Sequence, residues 1–275
     1  VKEWCLNPET AELEISDLEK LITKKTKLIS MCHTSNVIAS INDLKTVVKI
    51  AHDQGIKVVG DGVAYMAHDI ADLKGIDIDF YAFSLYKTYG PHLALLYGKE
   101  EILKKLPNQN HEFLENNYPY TINPGGPNHE ELVSLIGIYE YFDNLYKHHF
   151  DIENKNVLSK IQKINELISS HEENIANPVL EYLDSKESIK LIGKNKITNK
   201  NRAPTISFTS KNKTSELISK ILVKNFIATR NDNFYAWRCL NHLGIDPNDG
   251  VVRISMTHYN TMEDSFKLIE NLKKI

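Results

Sequence analysis

The sequence predicts an α/β protein in which a mainly parallel sheet is covered by helices. Three short apolar runs of strand character occur early in the chain, at Leu28–His33, Lys57–Asp61 and Asp79–Ser84. Apolar side chains at helical spacing lie between the first two runs, from Asp43 to Gln54. Strand–helix–strand alternation is typical of parallel sheets, because parallel neighbours need a long crossover connection.

Two further elements follow before the middle of the chain. The apolar run Leu93–Tyr97 predicts a strand directly after the turn at Gly90-Pro91. Glu130–Tyr146 predicts one long helix. The side chains expected to face inward are Leu132, Val133, Leu135, Ile136, Ile138, Tyr139, Phe142 and Leu145.

The character of the chain changes near residue 150, where more polar helices begin. We therefore expect a large domain at 1–150 and a smaller C-terminal α+β domain at 151–275. The Lys- and Asn-rich stretch Lys190–Arg202 predicts a solvated loop. The last predicted elements are two strands and two helices, at Thr205–Thr209, Val251–Ser255, Ser215–Asn225 and Ser265–Ile275.

Composition excludes several classes of function. The 275 residues carry 33 Lys and Arg against 36 Asp and Glu, so the net charge of −3 gives no basic surface for nucleic acid. No apolar run is long enough to predict a membrane span. The cysteines Cys5, Cys32 and Cys239 are odd in number and lack CxxC spacing, which favours reduced thiols in a cytoplasmic protein. No His-Glu pair has a second histidine at zinc-protease spacing, so we predict no metal site.

Lys87 is the residue that most strongly indicates a function. It follows the strand that ends at Ser84, and Tyr86 precedes it directly. A lysine there needs a charged partner or a chemical task, and one such task is a Schiff base with an aldehyde cofactor. Asp61 ends the neighbouring strand, and ligands of parallel sheets bind beyond the carboxyl ends of strands. A lysine for the aldehyde and a carboxylate for a pyridinium nitrogen together suggest pyridoxal phosphate.

Each of these residues also has an ordinary structural interpretation. Lys87 alone would be a surface lysine, Asp61 a turn or cap residue, and Asn36 a loop residue. Arg253 lies between apolar neighbours in a predicted strand, where an inward guanidinium requires an anion. A substrate carboxylate is a good bidentate match, and a structural salt bridge is the alternative.

The combined motifs resemble the class V aminotransferase family of fold type I pyridoxal-phosphate enzymes, and most closely its cysteine desulfurase-like branch. The resemblance covers essentially the whole chain. The matching stretches are His33–Val37, Ala51–Gly55, Asp61–Ala64, Ser84–Pro91, Gly125–Asn128, Val252–Ser255 and His258–Thr261.

The resemblance implies roles for the residues that would surround the cofactor. Lys87 would form the internal aldimine and then move protons. Asp61 would keep the pyridinium nitrogen protonated, and Asn36 would face the phenolic oxygen. Ser84 and Tyr86 would hold the phosphate.

The resemblance also implies a substrate site and a partner. Arg253 would bind the carboxylate of a small amino-acid substrate, with Arg230 as a helper. Gly126 lies in the turn that family dimers offer to the neighbouring subunit's phosphate. We therefore expect a homodimer with its site at the subunit interface.

The chain departs from the desulfurase pattern at several positions. Desulfurases usually carry histidine at the position of Tyr86, glutamine at that of Ala64 and threonine at that of Gly126. Tyr235 stands where a desulfurase places its persulfide cysteine, and Cys239 three residues later falls in a predicted helix. The resemblance thus implies a transferase or lyase without a persulfide cysteine, and it leaves transamination, β-elimination and racemisation open.

In this family a substantial N-terminal segment precedes the region that matches Val1. It supplies a turn that grips the phosphate and a side chain that stacks on the pyridine ring. The resemblance therefore predicts that the large domain at 1–150 is incomplete. The alternative to an enzyme is a non-catalytic relative that serves as a binding or dimerisation module.

Overall fold

The computed structural model describes residues 1–115, 117, 120–123, 125–150 and 156–275. The α-helices are α1 (Ile15–Leu21), α2 (Leu44–His52), α3 (Leu73–Ile76), α4 (Glu100–Leu103), α5 (His129–Ser134), α6 (Ile136–His149), α7 (Val157–Asp184), α8 (Ser215–Lys224), α9 (Trp237–His242) and α10 (Met262–Leu272). The strands are β1 (Leu28–Cys32), β2 (Lys57–Asp61), β3 (Phe80–Ser84), β4 (Ala94–Gly98), β5 (Ile189–Ile192), β6 (Thr205–Ser210), β7 (Arg230–Asp232) and β8 (Val251–Ser255). Short 3-10 helices cover Leu85–Lys87, Glu112–Leu114 and Tyr120–Ile122.

The chain divides into two compact units, each with its own sheet. The parallel-sheet unit consists of Thr26–Cys32 and Asp43–Ile164. The antiparallel-sheet unit consists of Val1–Lys25, His33–Asn42 and Asn165–Ile275. The predicted domain boundary near residue 150 stays a prediction, and residues 151–155 lie outside the described residues.

The parallel-sheet unit contains the four early strands in the order β1-β2-β3-β4. β1, β2 and β3 run parallel, with Leu28 opposite Lys57 and Val59 opposite Phe80. β4 returns antiparallel to β3. The strands predicted from Leu28, Lys57, Asp79 and Leu93 are therefore confirmed, and the sheet is mainly parallel as expected.

Helix α2 forms where the sequence predicts it, because its cap and its apolar stripe agree. The Asp43 side chain caps the helix by accepting a hydrogen bond from the backbone N–H of Thr46. The apolar stripe is buried, and the helix packs against β2. Each fully buried aliphatic side chain of this size contributes about 1.5–3 kcal/mol. The stripe consists of Leu44, Val47, Val48 and Ala51.

A fully buried carboxylate, Asp79, lies at the amino-terminal end of β3. It accepts hydrogen bonds from His52 Nε2 at 2.8 Å, Lys57 Nζ at 3.0 Å and the Val58 backbone N–H at 2.8 Å. Burial raises the pKa of Asp79, but these hydrogen bonds outweigh it and bring the pKa below its ordinary value. This acidic cluster ties α2 to the amino-terminal ends of β2 and β3.

The helix predicted at Glu130–Tyr146 is wrong in two respects. It is two helices, α5 and α6, which meet at Leu135. Several side chains predicted to face inward are exposed, among them Val133 at 67% and Ile136 at 58%. Helical spacing identifies an apolar face but not what covers it, and nothing among the described residues covers this one. The four exposed members of the face are Leu132, Val133, Ile136 and Tyr139.

The antiparallel-sheet unit contains the second sheet, in the order β5-β6-β8-β7 with every neighbouring pair antiparallel. Its core joins the inner face of this sheet to buried apolar side chains of α7, α8 and α10. Thr261 and Asp264 form a reciprocal capping box at the start of α10. An antiparallel sheet covered by helices matches the predicted α+β character.

The prediction of a solvated loop at Lys190–Arg202 is wrong at both ends of the stretch, although most of the residues between them are exposed and irregular, as predicted. β5 (Ile189–Ile192) occupies its first residues, and Ile197 and Arg202 are buried. Backbone carbonyl oxygens of Lys194, Ala203 and Thr205 accept hydrogen bonds from the Arg202 guanidinium. Burial lowers the pKa of Arg202 to about 10. The polar composition of the stretch concealed a buried arginine that the backbone satisfies.

Candidate active site

Asp61 and the segment Ser84–Lys87 lie at the same edge of the parallel-sheet unit. β2 and β3 are parallel neighbours, and Asp61 stands opposite Ala82 in their register. β3 ends two residues later at Ser84, and the 3-10 helix Leu85–Lys87 follows directly. The carboxyl ends of parallel strands form one edge, so the structure brings the predicted carboxylate and the predicted lysine segment to that edge.

The position of Asp61 is fixed by a tight turn after β2. Its Oδ1 accepts a hydrogen bond from the Val63 backbone N–H at 2.9 Å, and the side chain is exposed. The Gly62 N–H donates to the carbonyl oxygen of Ala82 at 2.8 Å. A Cβ at Gly62 would lie 2.1 Å from the ring of Tyr81, so only glycine lets the backbone lie this close to the ring. The turn therefore presents the Asp61 carboxylate at the edge of the sheet.

Lys87 is exposed at the end of the 3-10 helix. The cost of burying a lysine, which motivated the sequence argument, does not arise in this chain. Its Nζ lies 5.7 Å from the centroid of the Tyr86 ring, and no ion pair of Lys87 occurs among the described residues. Tyr86 in turn contacts His92 edge-to-face, with ring centroids 4.8 Å apart. The Ser84 side chain makes no capping hydrogen bond to the 3-10 helix that follows it.

Arg253 lies at the centre of a second cluster, in the antiparallel-sheet unit. Its guanidinium carbon lies 3.8 Å from the centroid of the Phe234 ring, and its Nη1 donates to the Asn36 carbonyl oxygen at 3.2 Å. Its Nε is buried and has no hydrogen-bond partner among the described residues. Burial lowers the pKa of Arg253, and the charge of Arg230, its direct neighbour across β7 and β8, lowers it further.

The structural salt bridge considered for Arg253 is not found within the described part of the chain. An unsatisfied buried guanidinium N–H is costly, because the group has lost water without gaining an acceptor. Two arginines in facing positions raise the electrostatic cost further. The cluster therefore has the donors and the charge to bind an anion.

Asn36 belongs to this second cluster. Its side-chain amide donates to the Phe234 carbonyl oxygen at 2.9 Å, so one of its two N–H groups is already engaged. Its assignment to a cofactor oxygen stays a prediction. Arg230 is exposed at the start of β7, and its part in substrate binding stays a prediction as well.

Gly126 is exposed in the stretch that precedes α5. A Cβ at this position would meet nothing within 4 Å, so packing within the chain does not require glycine there. Asp61, Ser84, Tyr86, Lys87 and Gly126 belong to the parallel-sheet unit. The other predicted site residues, Asn36, Arg230 and Arg253, belong to the antiparallel-sheet unit.

The main residue that sequence reasoning missed is Phe234. It stands in the loop Asn233–Ala236, where Phe234 and Tyr235 both have a left-handed backbone, with φ of 52° and 62°. Such conformations are uncommon outside glycine and cluster at functional sites. Phe234 points to Arg253, whereas Tyr235 is fully exposed. The sequence does show an apolar residue directly after Asn233. It does not show that this residue contacts Arg253 in β8, because the two are far apart in the chain.

Three further features concern metal ligands, membrane spans and disulfides. Across the described ranges no three His, Cys, Asp or Glu side chains are grouped in a way that would hold a metal ion. Within those same ranges, every helix is too short or too polar to span a bilayer. None of the three cysteines, all of which are described, forms a disulfide.

Sequence comparison places most of the chain in one family. The family model described as aminotransferase class-V matches residues 3–268. The aminotransferase-like protein FGM3 of Gibberella zeae is 30% identical over 267 residues, which are 96% of this chain and 63% of that protein. A cysteine desulfurase of Escherichia coli O9:H4 is 26% identical over 283 residues, 98% of this chain and 63% of the relative. The chain thus spans less than two thirds of the length of these relatives.

Solved structures of two cysteine desulfurases have the same fold as this chain. The cysteine desulfurase CsdA of Escherichia coli superposes with a TM-score of 0.81 at 24% identity, over 100% of this chain and 65% of that one. The cysteine desulfurase of Thermococcus onnurineus gives 0.80 at 24% identity, over 99% and 65%. At this level of identity the likeness concerns the fold, and it confirms the predicted fold class.

Proposed function

Because this chain belongs to the aminotransferase class-V family, in its cysteine desulfurase-like branch, we propose that it acts as a pyridoxal-phosphate-dependent transferase or lyase on a small amino acid. The observation that carries the proposal is the shared sheet edge of Asp61 and Lys87. A carboxylate and an amine beyond the ends of adjacent parallel strands are the two groups that this cofactor needs from a protein.

The residues present fit such a group in charge and in hydrogen-bonding type. The Asp61 carboxylate is exposed and engaged by a single backbone N–H among the described residues. The Lys87 amine is exposed and has no carboxylate partner there. Ser84 and Tyr86 provide hydroxyl donors suited to a phosphate. Asn36 retains a second amide N–H for an acceptor oxygen.

Bound pyridoxal phosphate would supply an aldehyde carbon and an electron-accepting pyridine ring. Lys87 would hold the aldehyde through its amine and, once released, would carry a proton to or from the substrate's α-carbon. The Asp61 carboxylate would keep the proton on the ring nitrogen, because an adjacent negative charge favours the protonated form. Ser84 and Tyr86 would orient the phosphate, and Asn36 would donate to the phenolic oxygen.

Arg253 would bind the substrate's carboxylate. The support is its buried Nε, which has no hydrogen-bond partner among the described residues. The charge of Asp232 favours the protonated guanidinium, but no ion pair of Arg253 with a carboxylate is found within the described part of the chain. A planar guanidinium binds a carboxylate through two parallel hydrogen bonds, which fixes the orientation of the amino acid. Arg230, directly opposite Arg253 in the pairing of β7 and β8, adds positive charge beside it.

We propose that this activity does not include transfer of sulfur to a protein thiol. A desulfurase requires a mobile thiolate near the substrate. In the loop Asn233–Ala236 the exposed residue is Tyr235, and a phenol does not carry a persulfide. The relatives are named as an aminotransferase-like protein and as cysteine desulfurases, which are different reactions. The name of one relative therefore does not decide which reaction this chain catalyses.

We further propose a homodimer with the site at the subunit interface, in a cytoplasmic setting. The exposed apolar face of α5 and α6 is the support for the dimer, because large apolar side chains grouped on one face usually mark an interaction surface. Gly126 lies three residues before α5, so its turn would lie beside that interface. The absence of disulfides among the three described cysteines supports a reducing compartment.

The test is the absorbance spectrum of the purified full-length protein before and after borohydride treatment. We expect the band of a cofactor bound covalently through an amine, its loss on reduction, and a pyridoxyl group on the peptide that contains Lys87. Lys49, an exposed lysine of α2, provides the internal control in the same peptide map. A label on another lysine, or no bound cofactor, would contradict the proposal.

A further inference from the structure

The Arg253 guanidinium is held between an aromatic ring and a backbone carbonyl. The Phe234 ring lies against it, 3.8 Å from centroid to guanidinium carbon. The Asn36 carbonyl oxygen accepts from Nη1 at 3.2 Å. All three residues belong to the antiparallel-sheet unit, and Phe234 is buried. A cation over an aromatic face is attracted by the ring and prefers to stay there.

The loop that carries Phe234 is held in an unusual conformation. The Asn233 Oδ1 accepts from the Tyr235 backbone N–H at 3.0 Å. The Asn36 side chain donates to the Phe234 carbonyl oxygen at 2.9 Å. A Cβ at Gly250, where φ is 66°, would lie 2.3 Å from the backbone carbonyl of Asp232. These contacts maintain the two successive left-handed residues and so direct the Phe234 ring toward Arg253.

This arrangement leaves one edge of the guanidinium for a ligand. Nη1 is engaged by Asn36, and neither Nε nor Nη2 has a hydrogen bond among the described residues. Nε and Nη2 form a planar pair of donors whose spacing matches the two oxygens of a carboxylate. The ring covers one side of the guanidinium, so the carboxylate is expected in the guanidinium plane.

Arg202 shows that burial alone does not produce this arrangement. It is also buried in the antiparallel-sheet unit, but its Nε, Nη1 and Nη2 each donate to a backbone carbonyl oxygen. All three nitrogens of this structural arginine therefore have a backbone partner. Nε and Nη2 of Arg253 have none among the described residues, and they form the edge that a bidentate ligand requires.

We propose that Phe234 is a positioning residue that holds the Arg253 guanidinium so that its Nε–Nη2 edge receives the substrate's α-carboxylate. The inference rests on the proposed role of Arg253 and extends it to a residue that does not contact the substrate's carboxylate. It predicts that Phe234 determines how strongly the protein prefers a carboxylate over an uncharged ligand of the same shape.

The test compares the binding of propionate and propionamide to the full-length, cofactor-loaded protein. The measured quantity is the ratio of their dissociation constants, since a general loss of structure would weaken both ligands alike. We expect Phe234→Leu to lower this carboxylate preference about threefold to tenfold, the range that loss of a cation–π contact provides. Phe234→Tyr keeps the ring and should keep the preference. With an amino-acid substrate, Phe234→Leu should raise KM and leave kcat largely unchanged.

Two further variants separate the possible failures. Arg253→Gln, which removes the charge, should abolish the carboxylate preference. If the wild-type protein shows no preference, or if Arg253→Gln retains it, the proposed role of Arg253 fails. If Arg253→Gln behaves as expected and Phe234→Leu retains the full preference, the positioning role of Phe234 is wrong. Should Phe234→Leu not fold, Phe234→Met, which keeps more apolar volume but has no ring, decides by the same ratio.

Discussion

Asp61 is a carboxylate whose charge no cation of the described chain offsets. Among the described residues its only hydrogen bond comes from the Val63 backbone N–H, and its side chain is exposed. We predict that Asp61→Asn folds normally and lowers turnover of an amino-acid substrate by about 10²-fold or more, the usual cost of losing one preorganised electrostatic group. An amide does not hold the proton on a pyridine nitrogen, so the ring accepts electrons less readily.

The measurement is kcat with saturating cofactor, together with the thermal unfolding temperature. Asp17→Asn provides the matched control, since Asp17 is a half-exposed carboxylate in α1 that forms an ion pair with Lys20. It should change neither quantity. Near-normal turnover of Asp61→Asn at normal stability would show that Asp61 is not the partner of the ring nitrogen.

The thiols of this chain are poorly suited to sulfur transfer. Burial, together with the charge of Asp61 on the adjacent strand, raises the pKa of the Cys32 thiol. Cys239 is half-buried within α9. We predict that any release of sulfide from cysteine proceeds by β-elimination, and that Cys239→Ser releases sulfide at the wild-type rate.

Sulfide release and persulfide labelling of the protein during turnover test this prediction. Cys5→Ser, at an exposed cysteine, is the control for loss of a thiol in general. A persulfide on Cys239 that appears with cysteine, accompanied by loss of activity in Cys239→Ser, would restore the interpretation as a desulfurase.

At the scale of elements, the acidic cluster around Asp79 joins α2 to β2 and β3. Replacement by asparagine leaves His52 and Lys57 without the buried charge that they surround. We predict that Asp79→Asn lowers the free energy of unfolding by about 1.5–3 kcal/mol, the usual range for losing hydrogen bonds to a charged group. Asp77→Asn is the control, because Asp77 contacts His52 and Lys99 from an exposed position and should cost less than about 1 kcal/mol.

The same cluster predicts how stability depends on pH. The pKa of Asp79 is lower in the folded protein than its ordinary value of 3.8, so the folded state favours the ionised form. The stabilisation is fully present above the unfolded pKa, and it is lost as the pH falls through the folded pKa. Urea unfolding at a series of pH values should therefore show a smaller loss of stability below about pH 4 for Asp79→Asn than for the wild-type protein. Equal losses would contradict the assignment.

At the scale of the whole molecule, the exposed face of α5 and α6 predicts assembly. We expect the full-length protein to be a dimer in solution and Val133→Asp to shift it toward monomer, because a charge in an apolar interface is costly to desolvate. Analytical ultracentrifugation measures the shift. Val223→Asp is the matched control, since Val223 is an exposed valine of another helix, α8. An unchanged dimer in the Val133 variant would place the interface elsewhere.

Local sequence patterns were sufficient to predict the elements that position Lys87 and Asp61. The strands at Leu28, Lys57 and Phe80 are short apolar runs bounded by polar residues, and the cap at Asp43 marks the start of α2. Parallel strands place their carboxyl ends together, so the shared edge followed from strand order alone. The remaining site residues were predicted from the motifs that this chain shares with the family.

The incorrect predictions have a common physical cause. Burial and side-chain contacts depend on residues that are distant in the sequence. The stretch beginning at Lys190 is polar in composition, but β5 pairs with β6 and buries Ile192. The helical periodicity of Glu130–Tyr146 is genuine, but four of its eight predicted inward side chains are exposed, and none of the described residues covers them. The contact between Phe234 and Arg253 joins a loop to a strand, and no spacing in the sequence encodes it.

One strand, β2, carries two carboxylate environments at opposite ends. Lys57 and Val58 hold the buried Asp79 at its start, and Asp61 stands exposed at its finish, about 13 Å away along the strand. The lowered pKa of Asp79 comes from its hydrogen bonds to His52, Val58 and Lys57, and the charge of Asp61 has no part in it. The acid tolerance of the fold and the pH profile of turnover are therefore separate traits, and protein engineering could adjust either one without disturbing the other.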